Sequence, residues 1–435
     1  MVLDQHRRRP DRGLGMWGRS QAVLRELGLG TFLDGCHRIP SAAYRSRDGA
    51  WLSRCSDTPA NRVRVATLRE AALLEELEAG LPEGSVRRNA WVYQVSQDDA
   101  GIEVRLDDGT SERGAVLVGA DGANSAVRRL HFGGSEPFGP WAVDTGMVSY
   151  SGVLSPLAVR NLTTSGGSTD LPTAASNPVE YAFETLSAGR RFAMVPLADG
   201  GAFWFATLPA ASTPPGDAAG AAAVAALRAA YDGWHAPIPR VLHAVACDAA
   251  EAAMATATAS LSSSSSTAVS SSPSASPPLR CERLQVAPPL ERWWRGRAAL
   301  VGDAAHALPI NLAQGASCAV EGAYTLATSL ADALDGDVGG GGGGASSPAE
   351  VESQLEAAFA RYQDAHAPRV RQCELVTSLT QLLAQPASPA TEAVRNAMRL
   401  VPPPLNGWVF DLALELSLGD KPARTRALWP LRTSV

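Results

Sequence analysis

The stretch Arg297–Leu330, RAALVGDAAHALPINLAQGASCAVEGAYTLATSL, joins a short apolar run, an acidic turn and an apolar helical repeat. Ala298–Val301 has the length and composition of a buried strand, and Gly302-Asp303 ends it. From Gly315 onward, apolar residues recur every three or four positions, which predicts a helix. An acidic turn facing a helix that begins at glycine predicts a ligand site. The carboxylate can accept hydrogen bonds from ligand hydroxyls, while bare backbone N–H groups approach a ring or a phosphate.

The motif at 302–306, GDAAH, followed by Pro309 and Gln314-Gly315, resembles the second FAD-binding motif of the single-component flavoprotein monooxygenases. This is the family with the para-hydroxybenzoate hydroxylase fold, and the similarity is to its zeaxanthin-epoxidase-like and salicylate-hydroxylase-like branch. The resemblance implies that Gly302 and Asp303 hold the ribityl chain of FAD. It also implies that the backbone of Gly315 and Ala316 lies near the flavin ring.

Two residues depart from the family pattern. Ala313 stands where the first glycine of a Gly-Gln-Gly triplet is usual, and Gly322 follows Glu321 where an aspartate is usual. Because a side chain at position 313 crowds the entry to the helix, we expect it to disturb placement of the flavin ring.

The bulk composition describes an ordinary water-exposed globular protein. The chain of 435 residues is long enough for two or three domains, with 45% hydrophobic and 19% charged residues. A net charge of −6 gives no indication of a nucleic-acid partner. The six cysteines lack close pairing and metal-ligand spacing, which favours reduced thiols and no metal. Without a long apolar run or a signal sequence, we expect an intracellular, soluble protein of cytoplasm or plastid; the oligomeric state is not indicated.

The amino end resembles the second strand of a dinucleotide fold. Met1–Asp4 has the pattern of a strand ending in an acidic residue, and the resemblance implies that Asp4 binds the adenosine ribose. Such a fold begins with a strand, a G-x-G-x-x-G turn and a helix, whose amides hold the pyrophosphate. We expect this chain to contain no such unit and to be N-terminally truncated by roughly 30 residues, the length of one βαβ unit. FAD binding by the chain as written is therefore expected to be poor.

Further cofactor contacts follow from the resemblance alone. Arg69, before a leucine-rich helix, would contact the flavin nucleotide, although a solvated helix arginine explains it equally well. The backbone of Val92, on one of two strands predicted over Val86–Asp108, would pair with adenine. Asp121 and Gly122, in the segment VLVGADGANSAVR, would lie on the pyrophosphate and ribose side of FAD, with Ser125 capping the helix that follows.

The predicted fold is α/β: a Rossmann-like FAD-binding domain interleaved with a β-sheet substrate domain, plus C-terminal helices. Alternating aromatic and aliphatic strands between 145 and 208 predict the sheet, whose aromatic residues are candidates for lining an apolar pocket over the flavin. The serine-rich and glycine-rich stretches are expected to be flexible linkers. The predicted boundaries are 1–130 and 281–334 for the FAD-binding domain, 131–248 for the substrate sheet, 249–280 and 335–348 for the linkers, and 349–435 for the helical region.

The implied function is an FAD-dependent monooxygenase that uses O₂ and NADH or NADPH to hydroxylate or epoxidise an apolar or aromatic organic molecule. The flavin carries the difficult chemistry, so no catalytic side chain is required by the pattern, and the sequence nominates none. A flavin-dependent reductase or halogenase shares the fold, but the halogenase W-x-W-x-I-P stretch is absent. A non-catalytic binding protein on the same fold, or an incomplete version of an intact enzyme, also stays open.

Overall fold

The computed structural model describes residues 1–5, 11–39, 42–54, 65–133, 142–164, 182–187, 189–213, 220–262, 279–287, 290–335, 347–384 and 388–401. The strands in chain order are β1 Val2–Asp4, β2 Gly13–Trp17, β3 His37–Arg38, β4 Ala42–Ser46, β5 Trp51–Arg54, β6 Val65–Arg69, β7 Val86–Arg88, β8 Val92–Asp98, β9 Gly101–Leu106, β10 Ser111–Gly114, β11 Leu117–Gly119, β12 Val143–Leu154, β13 Ala182–Ser187, β14 Arg190–Pro196, β15 Ala202–Pro209, β16 Arg280–Val286, β17 Trp294–Arg295 and β18 Ala298–Leu300. The helices are α1 Gly18–Glu26, α2 Gly30–Asp34, α3 Glu70–Ala79, α4 Pro156–Thr164, α5 Ala221–Ala230, α6 Ile238–Ser262, α7 Asp303–His306, α8 Gly315–Asp335, α9 Pro348–Ala384 and α10 Pro389–Met398, with a π-helical turn at Arg128–Phe132. No helix within these segments is long and apolar enough to span a lipid bilayer.

The largest sheet has seven strands in the order β16-β12-β15-β14-β13-β4-β5. Side chains alternate across it, as the period of two in a strand requires: Trp204 is fully buried, while Phe203 and Phe205 are half-buried on the opposite face. The Trp204 face packs against α4, α5 and α6 in one large apolar core. The Phe203 face is directed toward β2, where a Cβ added to Gly13 would meet Phe203 at 2.5 Å.

The parallel strands carry the segments on which a cofactor site was predicted. β11 and β18 pair in parallel with Gly119 opposite Leu300, so the turns that follow them leave the same edge of the sheet. β1 pairs in parallel with β7 and, among the described residues, with no other strand. Leu3, Val92 and Leu117 pack around one small core, which brings β1, β8 and β11 together.

The two long helices α8 and α9 pack side by side and cover β18. The cluster that joins them includes Leu300, Leu326, Phe359 and Tyr362. The start of α9 has a capping box, because the Ser347 backbone N–H donates to Glu350 at 2.6 Å and the Glu350 backbone N–H donates to the Ser347 hydroxyl at 3.3 Å.

Most predicted elements are present, including the strand at 298–301, the helix from Gly315, the hairpin around 98–101 and the strands within 145–208. Two boundaries differ. The substrate sheet is not confined to 131–248, because it takes β4 and β5 from 42–54 and β16 from 280–286. The predicted linker 249–280 begins inside α6, whose alanine-rich end stays helical to Ser262. Residues 263–278, 336–346 and 402–435 lie outside the described residues.

Candidate active site

The site predicted at the end of β18 is built around a turn that only glycine suits. Gly302 has φ of 56° and ψ of −142°, a conformation that side chains disfavour. A Cβ at this position would also lie 3.0 Å from the Ala319 Cβ on α8. The glycine therefore lets the turn rest against the first turns of α8, which places Asp303 beside the start of that helix.

Asp303 has an exposed carboxylate that accepts no hydrogen bond from the described residues. A Cβ added to Gly315 would lie only 3.8 Å from its Oδ1, so the carboxylate faces bare backbone. Surrounding protein displaces much of its hydration and raises its pKa, an effect that the Arg12 guanidinium opposes. A water-accessible carboxylate that accepts no hydrogen bond from the described residues is suited to accept hydrogen bonds from the hydroxyls of a polyol.

The loop into α8 has an unusual backbone. Ala313 has φ of 50°, one of two positive values at non-glycine residues in the described segments. Its Cβ lies 3.7 Å from where a Cβ on Gly15 would be, so it occupies the cleft wall between β2 and α8. The sequence-based expectation that this position favours glycine therefore has a conformational basis. Ala316, the next predicted contact, is half-buried and packs with Leu24 and Met16 in the core beneath β2 and α1.

The predicted contacts on the nucleotide side are already engaged by the chain. Asp4, at the end of β1, forms an ion pair with Arg88 from the parallel strand β7. Asp121 accepts from the backbone N–H groups of Ala126 (2.6 Å) and Val127 (3.1 Å), as well as from the Ser125 hydroxyl. The carboxylate of Asp121 thus organises its own loop.

Three further predicted features can be placed. The Ser125 hydroxyl accepts from the Arg128 backbone N–H at 2.9 Å, which agrees with the predicted cap. Gly122 has φ of 81°. Val92 pairs with Leu106 at the irregular start of the β8–β9 ladder.

Arg69 is not a solvated helix residue, which was the competing interpretation. It ends β6 and donates to Asp199 at 2.7 Å and to Asp11 at 3.2 Å. Asp199 belongs to the turn between β14 and β15, so Arg69 joins the FAD-binding part to the substrate sheet.

A network of charges beside Asp303 was not predicted. Arg12 donates to Glu70 at 2.7 Å, and the buried Arg280 of β16 donates to Glu70 at 3.1 Å and to Glu282 at 2.6 Å. The pKa of Arg12 is raised: burial opposes the rise, while Glu70, Glu282 and Asp303 favour it. These partners are distant in sequence, so no local pattern could have revealed them.

A second unpredicted group lies on the Phe203 face of the sheet. Arg191 is fully buried, forms an ion pair with Glu184 and donates to Asn311, in the loop before Ala313. Its guanidinium carbon lies 5.7 Å from the ring centre of Phe205. Tyr44 lies opposite Glu184 in the sheet register, and burial raises its pKa. The sheet thus presents aromatic rings and one buried ion pair to the loop that precedes α8.

The glycine spacing G-x-G-x-x-G does occur in the chain, although outside the strand–turn–helix unit described above. Gly13, Gly15 and Gly18 have that spacing, and the glycine run at 339–344 matches it trivially. In the structure Gly13–Trp17 is a strand antiparallel to β6, and Gly13 makes room for Phe203. Gly13 serves close packing of β2, while Gly18 begins α1 with no atom within 4 Å of an added Cβ. The three glycines do not form the turn between a parallel strand and a helix that holds a pyrophosphate.

Together, the fold and site combine parallel strands that end at acidic turns with a large sheet interleaved between them in the sequence. The FAD binding domain family matches residues 248–342. The chain is 27% identical over 362 residues to aurachin C monooxygenase/isomerase of Stigmatella aurantiaca, covering 81% of this chain and 74% of that protein. It is 28% identical over 372 residues to 3-amino-4-hydroxybenzoate 2-monooxygenase PtmB3 of Streptomyces platensis, covering 83% and 75%.

Solved structures share the fold. Klebsiella pneumoniae HpxO, crystallised with FAD and uric acid, superposes with a TM-score of 0.66 at 20% identity, covering 95% of this chain and 89% of that one. A salicylate hydroxylase substrate complex superposes with a TM-score of 0.62 at 18% identity, covering 95% and 91%. The predicted resemblance to the FAD-dependent monooxygenases is confirmed, as are the α/β fold class and FAD as the cofactor of this group of proteins.

Proposed function

We propose that this protein is an FAD-dependent monooxygenase that hydroxylates an aromatic ring bearing an O–H or N–H group, with NADH or NADPH as the hydride donor. The observation that carries the proposal is the carboxylate of Asp303, which accepts no hydrogen bond from the described residues and faces the bare backbone of Gly315. Relatives act on molecules of this kind, among them 3-amino-4-hydroxybenzoate and 6-hydroxynicotinate.

Asp303 and the start of α8 would hold the cofactor. The carboxylate accepts hydrogen bonds from the ribityl hydroxyls, and the backbone at Gly315 and Ala316 approaches the ring because Gly315 has no side chain. Bound FAD would supply reduction by the nicotinamide and activation of O₂. The role of the chain is to orient the ring and to exclude water from the space above it.

The sheet would hold the substrate. Phe203 and Phe205 offer half-buried ring surfaces, against which an aromatic substrate stacks or packs edge to face. Glu184 keeps acceptor capacity beyond its pair with Arg191, and a ring O–H or N–H can donate to it. Because Arg191 and Glu184 together carry no net charge, a neutral substrate suits this end of the pocket better than a carboxylate does.

A non-catalytic binding protein remains the second candidate. Asp4 and Asp121 are engaged by their own chain, and Ala313 occupies a glycine position at the helix entry. Such a protein would bind an aromatic ligand on the Phe203 face without oxidising NADH or NADPH.

The test is flavin binding and nicotinamide oxidation by the purified protein and by Asp303→Ala. Loss of two hydrogen bonds to the charged acceptor, each worth about 1.5–3 kcal/mol, should weaken FAD binding at least about a hundredfold. Asp332→Ala is the matched control, because Asp332 is exposed on α8 about 25 Å along the helix from Gly315. Equal flavin retention by Asp303→Ala would refute the cofactor assignment. Flavin binding without substrate-stimulated oxidation of NADH or NADPH would favour the binding protein.

A further inference from the structure

Two buried thiols face each other one turn after the predicted flavin contact. Cys318 lies on α8 and Cys373 on α9, both are fully buried, and their Sγ atoms are 3.6 Å apart. Neither takes part in a disulfide bond. A cross-link between the two long helices would require the sulfur atoms to close from 3.6 Å to the disulfide bond length of about 2.05 Å.

The surroundings of the two sulfur atoms differ. Cys373 Sγ accepts from the Arg369 Nη1 group at 2.7 Å and from the Cys318 thiol. These two donors favour the thiolate, and the pKa of Cys373 is lowered, first by the Cys318 hydrogen bond and then by Arg369, against the effect of burial. The pKa of Cys318 is raised because its proton is shared with Cys373. The pair therefore has one nucleophilic sulfur and one that keeps its proton.

The pair is connected to the entry of α8. In its protonated form the Cys373 thiol donates to Gln314 Oε1 at 2.9 Å, a bond that the thiolate gives up, and Arg369 Nη2 donates to the same oxygen at 3.0 Å. Gln314 lies between the exposed Ala313 and the half-buried Gly315, the first residue of α8. A small oxidant in the cleft is thus separated from the sulfur atoms by a single turn of helix.

We propose that Cys318 and Cys373 form an oxidisable dithiol that hydrogen peroxide converts into a disulfide joining α8 to α9. The Cys373 thiolate attacks one peroxide oxygen, the O–O bond breaks, and hydroxide leaves, which gives a sulfenic acid. The Cys318 thiol then attacks that sulfur, and the S–O bond breaks with release of water. Two thiol sulfurs are oxidised by one peroxide, which is reduced to water.

The source of peroxide rests on the proposed function, whereas the dithiol chemistry does not. FAD held by Asp303 and Gly315 would supply hydrogen peroxide by reducing O₂ when no substrate is present. Disulfide formation withdraws the Cys373 sulfur from Gln314 and Arg369, so oxidation changes the contacts of the residue next to the flavin position. The cross-link closes a loop between two helices and should raise the Tm by a few degrees.

The experiment treats the purified, reduced full chain with hydrogen peroxide and maps its thiols by mass spectrometry. We expect a cross-linked peptide pair containing Cys318 and Cys373, two hydrogens lighter than the reduced peptides and restored by dithiothreitol. In Cys318→Ser, dimedone should trap the sulfenic acid on Cys373. Cys247→Ser, at an exposed cysteine on α6, is the control and should leave the cross-link unchanged.

Two outcomes would overturn the proposal: the pair stays reduced while exposed Cys247 is oxidised, or the disulfides found join other cysteines. The peptide map of the unsubstituted chain decides the matter even if a serine variant fails to fold. Because the map requires no flavin, a chain that forms the cross-link but binds no FAD would refute the proposed function alone.

Discussion

Ala313 holds a backbone conformation that L-residues adopt at a cost. At φ of 50°, its side chain destabilises the folded state by roughly 1–2 kcal/mol relative to glycine, and glycine in turn loses about 0.4–1 kcal/mol through the greater freedom of the unfolded chain. We expect Ala313→Gly to raise the free energy of unfolding by about 0.5–1 kcal/mol, measured by urea denaturation. If Ala313→Gly lowers stability, the positive φ is not a source of strain.

Gly302→Ala is the opposite case. At φ of 56°, with the Ala319 side chain close by, this substitution should lower the free energy of unfolding by about 1–3 kcal/mol.

At the scale of single residues, local motifs predicted the site only where its parts are close in sequence. Asp303 and Gly315 are separated by one loop, so strand, turn and helix signals located both. Arg12 and Glu70 are 58 residues apart, and Arg191 and Asn311 are 120 apart. Such pairs depend on how sheets and helices meet, and the sequence carries no periodic signal for that.

Helices α8 and α9 approach closely at Gly322, the second departure from the family pattern. A Cβ there would lie 2.9 Å from His366 Nε2 on α9. Alanine at an interior helix position normally gains about 1 kcal/mol over glycine, but overpacking costs about 1–3 kcal/mol. Because the neighbour is a buried ring with little room to move, we expect Gly322→Ala to lower the free energy of unfolding.

His366→Ala provides the check on that explanation. In the double variant Gly322→Ala/His366→Ala the added methyl group meets space, so the cost of Gly322→Ala should largely disappear in a double-mutant cycle. An unchanged cost would show that the steric conflict lies elsewhere.

Acid should destabilise the fold through two buried imidazoles, one on α7 and one on α9. His306 and His366, with ring centres 5.6 Å apart, have pKa values lowered to about 4 and about 3, mainly by burial. In both cases the folded pKa lies below the unfolded value of about 6.5, so the unfolded state binds more protons as pH falls. Stability should therefore drop between pH 7 and pH 5, by about 2 kcal/mol for each histidine. Urea denaturation of His306→Phe at both pH values should show a smaller loss than the parent, while His243→Ala, at an exposed position on α6, should not differ from it.

The sequence predicted where individual strands begin and end better than it predicted which strands pair in the sheet. Alternation of aromatic and aliphatic residues located β14 and β15 to within one residue, because the seven-stranded sheet has one dry face and one partly exposed face. The same reasoning could not assign β4 and β5 to that sheet. The partner of β4 is β13, about 140 residues away, and strand order is decided by long-range pairing. The low-complexity composition from Ala249 concealed the end of α6, since alanine favours helix even without an apolar stripe.

The whole molecule is held together by polar links between the substrate sheet and the FAD-binding part. Arg191 of β14 joins Glu184 to Asn311, and Asn311 Nδ2 donates to the Thr377 carbonyl of α9 at 2.9 Å. Thr67 of β6 donates to the Pro196 carbonyl at 2.6 Å. Because these links surround the space between Phe205 and the loop before α8, loss of one should affect both stability and the shape of the pocket.

Arg191→Leu tests this connection at the scale of the molecule. The variant leaves Glu184 without its buried cation and Asn311 without its donor, and breaking such a pair from one side costs about 3–5 kcal/mol. Arg191→Leu/Glu184→Leu removes both charges, so it should be more stable than Arg191→Leu alone, as measured by urea denaturation of all four members of the cycle. Arg25→Ala, which breaks the exposed Arg25–Asp34 pair, should change stability little. If the double variant is less stable than Arg191→Leu, the loss of stability in Arg191→Leu does not come from the unpaired charge of Glu184. The geometry of Asn311, and not the charge balance, would then decide how the sheet is joined to the FAD-binding part.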